Sequence, residues 1–206
     1  MTIRRMILVA PIFLVACATD TANESPYDPL QDYEEVDATT ILDAPAAVPG
    51  NYAPENKYQV DRGEYLVELL GCGACHTDGA LEGVPDFDKA LAGSRIGIAY
   101  TNPLADNRPG VIYPPNITPD VDTGIGGWSD RQIEIAIRAG VGKHGDRRIV
   151  VMPWQGYVKL TREDLAAMVA YLRSIPAVRH EVPAEVRPGE TATEPFVYFG
   201  VYRSRD

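Results

Sequence analysis

The chain has 206 residues, 45% of them hydrophobic, which suggests one domain with extensions rather than two full domains. Its formal net charge is −10, and no stretch gathers the basic face that phosphate contacts require, so nucleic acid is excluded as a partner. The acidity is uneven: residues 18–57 carry nine acids against Lys57 alone, a net of −8.

Residues 1–16 read as a secretory signal, with Arg4-Arg5 ahead of an apolar core from Met6 to Ala16. That core is shorter than the roughly 20 residues a bilayer span needs. It ends in Leu14-Val15-Ala16-Cys17, which resembles a bacterial lipobox. The resemblance implies that Cys17 is lipidated and becomes the mature N-terminus, anchoring the chain to a membrane of the cell envelope with its domain facing the periplasm. Ala18, rather than an aspartate, after Cys17 resembles outer-membrane sorting. An uncleaved anchor or an unmodified cysteine are the alternatives.

Residues 17–57 then form an acidic, proline-punctuated tether, the composition of an extended linker rather than a fold. Forty such residues reach about 35 Å. Two readings stand: an arm that swings the domain between partners, or a spacer that can also wrap it through Tyr27, Tyr33 and Tyr52.

A folded domain is expected over 58–180. Asp61-Arg62-Gly63-Glu64 opens a helix whose Tyr65, Leu66, Leu69 and Leu70 share a face, and Gly71 suits its end. Gly63 suggests the close passage of another helix. Next comes Cys72-Gly73-Ala74-Cys75-His76, the attachment signature of a c-type haem. Each thiol adds to one vinyl group, and the adjacent histidine becomes an axial ligand. A thioredoxin-like pair would want a βαβ setting, and a zinc site a second Cys or His pair; the sequence offers neither.

Residues 77–127 are rich in Gly and Pro, with alternating stretches at 95–100 and 110–113 that predict a short two-stranded excursion. Pro114 to Asp120 reads as an extended strap. Asn116-Ile117-Thr118 fits a glycosylation acceptor only formally, given a bacterial lipobox. Ser129-Asp130-Arg131-Gln132 is a capping box for a helix with Ile133, Ala136 and Ile137 inward and Gly140 after it. Thr161 caps a last helix with Leu165, Met168, Val169 and Leu172 as its apolar stripe, stopped by Pro176.

The second axial position has four candidates: His144, His180, Met152 and Met168. Met168 belongs to the helical stripe, His180 lies between Arg179 and Glu181 and reads as solvated, and His144 sits in a glycine-rich turn. Met152, between two helices and stiffened by Pro153, is favoured over His144, because Met/His ligation is the usual electron-transfer arrangement.

Taken in order, Gly63-Glu64-Tyr65-Leu66, Cys72 to His76, Asn116 to Asp120, Thr123 to Asp130, Met152-Pro153-Trp154 and Leu160 to Leu172 resemble class I cytochrome c domains. They are similar to the cytochrome subunits of bacterial membrane-bound alcohol and gluconate dehydrogenases. The resemblance implies a mainly α fold: three main helices around one covalent haem c, the first and last crossing with Gly63 against Tyr171 and Leu172, and a small irregular or β insertion. It also implies His76 as proximal and Met152 as distal iron ligand. Those subunits repeat the domain three times; this chain has one Cys-x-x-Cys-His and no internal repeat. Residues 181–206 form a C-terminal extension whose apolar run, Phe196 to Tyr202, is expected to pack back on the domain or to dock a redox partner.

The expected function is single-electron transfer between redox partner proteins by a membrane-anchored monohaem cytochrome, not an enzyme in itself. The alternatives are an electron-transfer subunit of a membrane-bound dehydrogenase, and a haem sensor or peroxidase with a labile sixth ligand.

Overall fold

The computed structural model describes residues 50–51, 53–101, 108–143 and 151–199. Cys17, the signal, the tether up to residue 49, Tyr52, His144 and residues 200–206, with them the end of the apolar run from Phe196 to Tyr202, lie outside the described residues.

Among the described residues the fold is mainly helical. Five helices occur in order: α1 (Lys57–Leu69), α2 (Cys72–His76), α3 (Asp130–Ala139), α4 (Trp154–Tyr157) and α5 (Arg162–Ser174). Three short strands, β1 (Gly97–Ala99), β2 (Val111–Ile112) and β3 (Phe196–Val197), make one sheet of order β2-β1-β3. No helix among these residues is long and apolar enough to cross a membrane.

α1 starts a turn earlier than Asp61, running on from a 3-10 turn at Pro54–Asn56. Just ahead of it, the Asn51 amide donates to Ser174 O at 2.8 Å, so the end of the tether is fastened to the end of α5. The buried face of α1 is Val60, Gly63, Leu66 and Val67, whereas Tyr65 and Leu69 are exposed. The close approach at Gly63 decides this rotation. A Cβ there would run into the Ala167 carbonyl and lie 2.7 Å from Tyr171 Cβ, so the bare backbone is what lets α1 and α5 cross. The nearest atoms belong to Ala167 and to Tyr171, the latter as the resemblance implies.

The helix starts predicted at Ser129 and Thr161 are built as read. Ser129 and Gln132 form a reciprocal capping box on α3, and Gly140 ends it at φ 62°. Thr161 accepts from the Asp164 amide to open α5. Ile133 and Ile137 of α3 join Leu165, Met168, Val169, Tyr171 and Leu172 of α5 and the apolar face of α1 in one core. Arg173 ties α5 to the chain entering α3, donating to Ile125 O at 3.1 Å, to Trp128 O and to Asp130 Oδ1 at 3.1 Å.

The predicted excursion is β1 and β2, antiparallel with Ile98 opposite Ile112 and Ala99 opposite Val111. The described part of the C-terminal segment packs back on it: β3 runs parallel to β1, with Phe196 opposite Gly97 and Val197 opposite Ile98. Phe199, beyond the strand, is exposed.

Candidate functional site

α1 closes at Leu70, and Gly71, at φ 67°, swings the chain directly into α2. On this single turn Cys72 and Cys75 are three residues apart and His76 four from Cys72, so all three project toward one side. They line a cleft of about 1350 Å³, solvent mouth included. Its walls are apolar and come from every main element: Val67 of α1, Ile98 and Ile112 of the sheet, Ile133 and Ile137 of α3, and Leu172 of α5.

His76 is aimed by its own ring. Nδ1 lies 2.7 Å from the carbonyl oxygen of Pro115. A carbonyl can only accept, so Nδ1 carries the proton and donates, leaving the Nε2 lone pair for a metal. The carbonyl is held in place by the strap. Asn116 Nδ2 donates to Val178 O at 2.7 Å and to Thr123 Oγ1 at 3.0 Å, while Asn116 Oδ1 accepts from the Thr118 amide at 2.9 Å. Both Asn116 and Thr118 are buried, which removes them as a glycosylation acceptor. Behind the ligand, the Gly93 amide donates to His76 O at 2.8 Å and the Leu91 amide to Thr77 Oγ1 at 3.2 Å.

Burial pushes the Cys72 thiol up to about 11, with Cys75 adding to the effect, and burial also raises Cys75. Reactive dithiols are tuned the other way, toward the thiolate. Among the described residues no three His, Cys, Asp or Glu side chains gather as a metal cluster. Two neutral thiols and one oriented imidazole in the wall of an apolar cleft are the donor set of covalent haem c, and the residues fit that group.

Met152, in the short run ahead of α4, lines the same cleft, and its carbonyl accepts from the Trp154 amide at 2.7 Å. Met168 lines it too, but from within α5, where it is only 2% exposed among the core side chains. Tyr157 of α4 also borders the cleft, its hydroxyl pushed up to about 12 by burial first and then by the neighbouring cysteines. His180 is not solvated. Its Nδ1 is 3.0 Å from Ala92 O and its Nε2 is 3.6 Å from Asp78 Oδ2. The charged neighbours Arg179 and Glu181 suggested water; instead they flank a residue that the fold turns inward. Asp78 itself is 5% exposed and accepts from the Arg95 amide at 2.8 Å and from Lys89 Nζ at 3.2 Å.

Residue patterns could not have found this Asp78 cluster, because its members are spread over a hundred positions and follow no period. The bracing of His76 by Pro115 did leave a trace, in the Asn116 to Asp120 motif.

The chain is 39% identical over 116 residues to the gluconate 2-dehydrogenase cytochrome c subunit of Pantoea cypripedii, covering 56% of this chain and 23% of that one. It is 35% identical over 120 residues to the fructose dehydrogenase cytochrome subunit of Gluconobacter japonicus, covering 58% and 22%. With the alcohol dehydrogenase (quinone) cytochrome c subunit of Gluconacetobacter polyoxogenes the identity is 36% over 112 residues, covering 54% and 21%. The chain thus spans less than a quarter of the length of each of these relatives. The cytochrome c family pattern matches residues 60–176, from α1 to just past α5 with the cleft between them, and the chain belongs to the cytochrome c family.

Proposed function

We propose that this chain is a membrane-anchored cytochrome with a single haem c, passing one electron at a time between redox partner proteins. The observation that carries the reading is the meeting of Cys72, Cys75, His76 and Met152 on one apolar cleft. Cys72 and Cys75 would hold the porphyrin by thioethers, and His76 and Met152 would hold the iron. When bound, haem supplies a one-electron couple. Pro115 fixes the His76 ring so that it need not reorient between oxidation states, and the aliphatic walls exclude water. Cys17 anchors the chain to the envelope membrane on its periplasmic side, and the acidic tether gives the domain its reach. Net acidity favours a basic patch on a partner and an association weakened by salt.

A second reading, the electron-transfer subunit of a dehydrogenase complex, is supported by the three relatives, each of which is the cytochrome subunit of a dehydrogenase. Crosslinking in solubilised membranes separates the two: one stable catalytic partner favours the subunit, several transient ones the carrier.

The test of the site is Met152→Ala in mature, haem-loaded protein. Loss of the sulfur–iron absorption, a lowered midpoint potential and carbon monoxide binding to the reduced form are expected. An unchanged spectrum and potential would remove Met152 from the iron. Cys17→Ser should move the protein from the membrane fraction to the soluble one.

A further inference from the structure

The sheet has two faces with different duties. Ile98 and Ile112 are directly paired, so they share a face, and both line the cleft. Alternation along a strand sends their neighbours the other way. On that outer face Val111 and Tyr113 are almost fully buried, and the residues covering them come from the C-terminal segment: Val182, Val186, Ala192 and Phe196.

Gly97 is what lets this face close. A Cβ there would collide with Val111 and lie 2.9 Å from Tyr113 Cε1, so the tyrosine ring lies directly over the glycine. Backbone bonds lock the arrangement. Val111 and Val186 exchange both amide-to-carbonyl bonds at 2.9 Å, the Gly97 amide donates to Pro195 O at 2.8 Å, and the Tyr113 hydroxyl donates to Glu194 O at 3.1 Å. Tyr100 adds a bond to Glu185 Oε1 at 3.0 Å.

Two strands of three and two residues cannot stand alone in water. We propose that residues 181–197, which follow the family-matched region, are the outer brace of the β wall. By holding Ile98 and Ile112 against the cleft, they limit solvent access to the cofactor and thereby raise its reduction potential. The proposal rests on haem occupying the cleft, as the proposed function has it. Water favours the more highly charged ferric form, so a loosened wall lowers the potential.

The experiment uses the full-length, haem-loaded protein carrying Val186→Asp and Phe196→Asp together, with Phe196→Leu as the conservative variant and Phe199→Ser as an exposed control. Amide hydrogen exchange at Gly97 and Val111 reports release of the brace, and should speed up by about tenfold or more in the double variant. The midpoint potential should fall and imidazole should bind the ferric protein faster, while helical circular dichroism is retained. Phe196→Leu and Phe199→Ser should match the parent. Fast exchange with a parental potential and parental imidazole binding would overturn the proposal, as would unchanged exchange. A parent whose pigment is stripped by acid-acetone would instead overturn the functional reading beneath it.

Discussion

The cleft has one wall built from long helices and another from strands of two or three residues, and the two are secured differently. α1 and α5 cross at Gly63, with Tyr171 fully buried and Leu165 and Met168 2% exposed. Their stability comes from apolar surface packed along 13 residues on each side. β1 and β2 have little surface to bury, and they depend on a separate, smaller cluster supplied by the C-terminal segment. The difference separates two tasks. The larger buried cluster lies between the helices, and the sheet closes the cleft beside it.

Gly63→Ala is the severest test of that division. The new Cβ meets backbone, 2.6 Å from the Ala167 carbonyl carbon, which cannot swing aside as a side chain could. A loss of about 3 kcal/mol, or failure to accumulate haem-loaded protein, is expected in urea denaturation. Parental stability would mean that the crossing is looser than the helical frame requires.

Leu165→Ala sharpens the comparison. This side chain is 2% exposed and faces the core without bordering the cleft. It should cost about 3 kcal/mol yet leave the midpoint potential unchanged. The brace variants should do the reverse, moving the potential with little loss of helix. If Leu165→Ala shifts the potential as far as they do, the two walls are not independent.

The smallest effect belongs to the clasp between Arg62 of α1 and Asp164 of α5, 2.9 Å apart at the surface. Hydrogen bonds from Arg62 and then Thr161 hold the Asp164 carboxyl below its ordinary value of 3.8. A depressed carboxylate contributes stability that is present above that ordinary value and is lost as the pH falls below it. Asp164→Asn should therefore lower stability slightly at pH 7 and flatten its decline below about pH 4. A decline as steep as the parent's would show that other carboxylates carry it.

Particular residues show how much of this is legible in the sequence. The helix starts at Ser129 and Thr161 are readable because a cap is a local hydrogen bond, complete within four residues. Cys72, Cys75 and His76 are readable because their spacing is the chemistry. The face of α1 is not. Tyr65 and Leu69 have the right period and hydrophobicity, but Gly63 must point at α5, and that rotates them out to solvent. His180 escapes a local reading for the complementary reason, since charged neighbours say nothing about a carbonyl of Ala92 arriving from 88 positions away.

The sequence by itself determined the caps of α3 and α5, the attachment motif and the candidate ligands, all of them set by patterns within a few residues along the chain. Only the tertiary structure decided which face of α1 is buried, that Pro115 fixes the His76 tautomer, and that the C-terminal segment backs the wall of the cleft. Those outcomes depend on groups distant in sequence competing for the same space and the same hydrogen bonds, and no local pattern records the result of that competition.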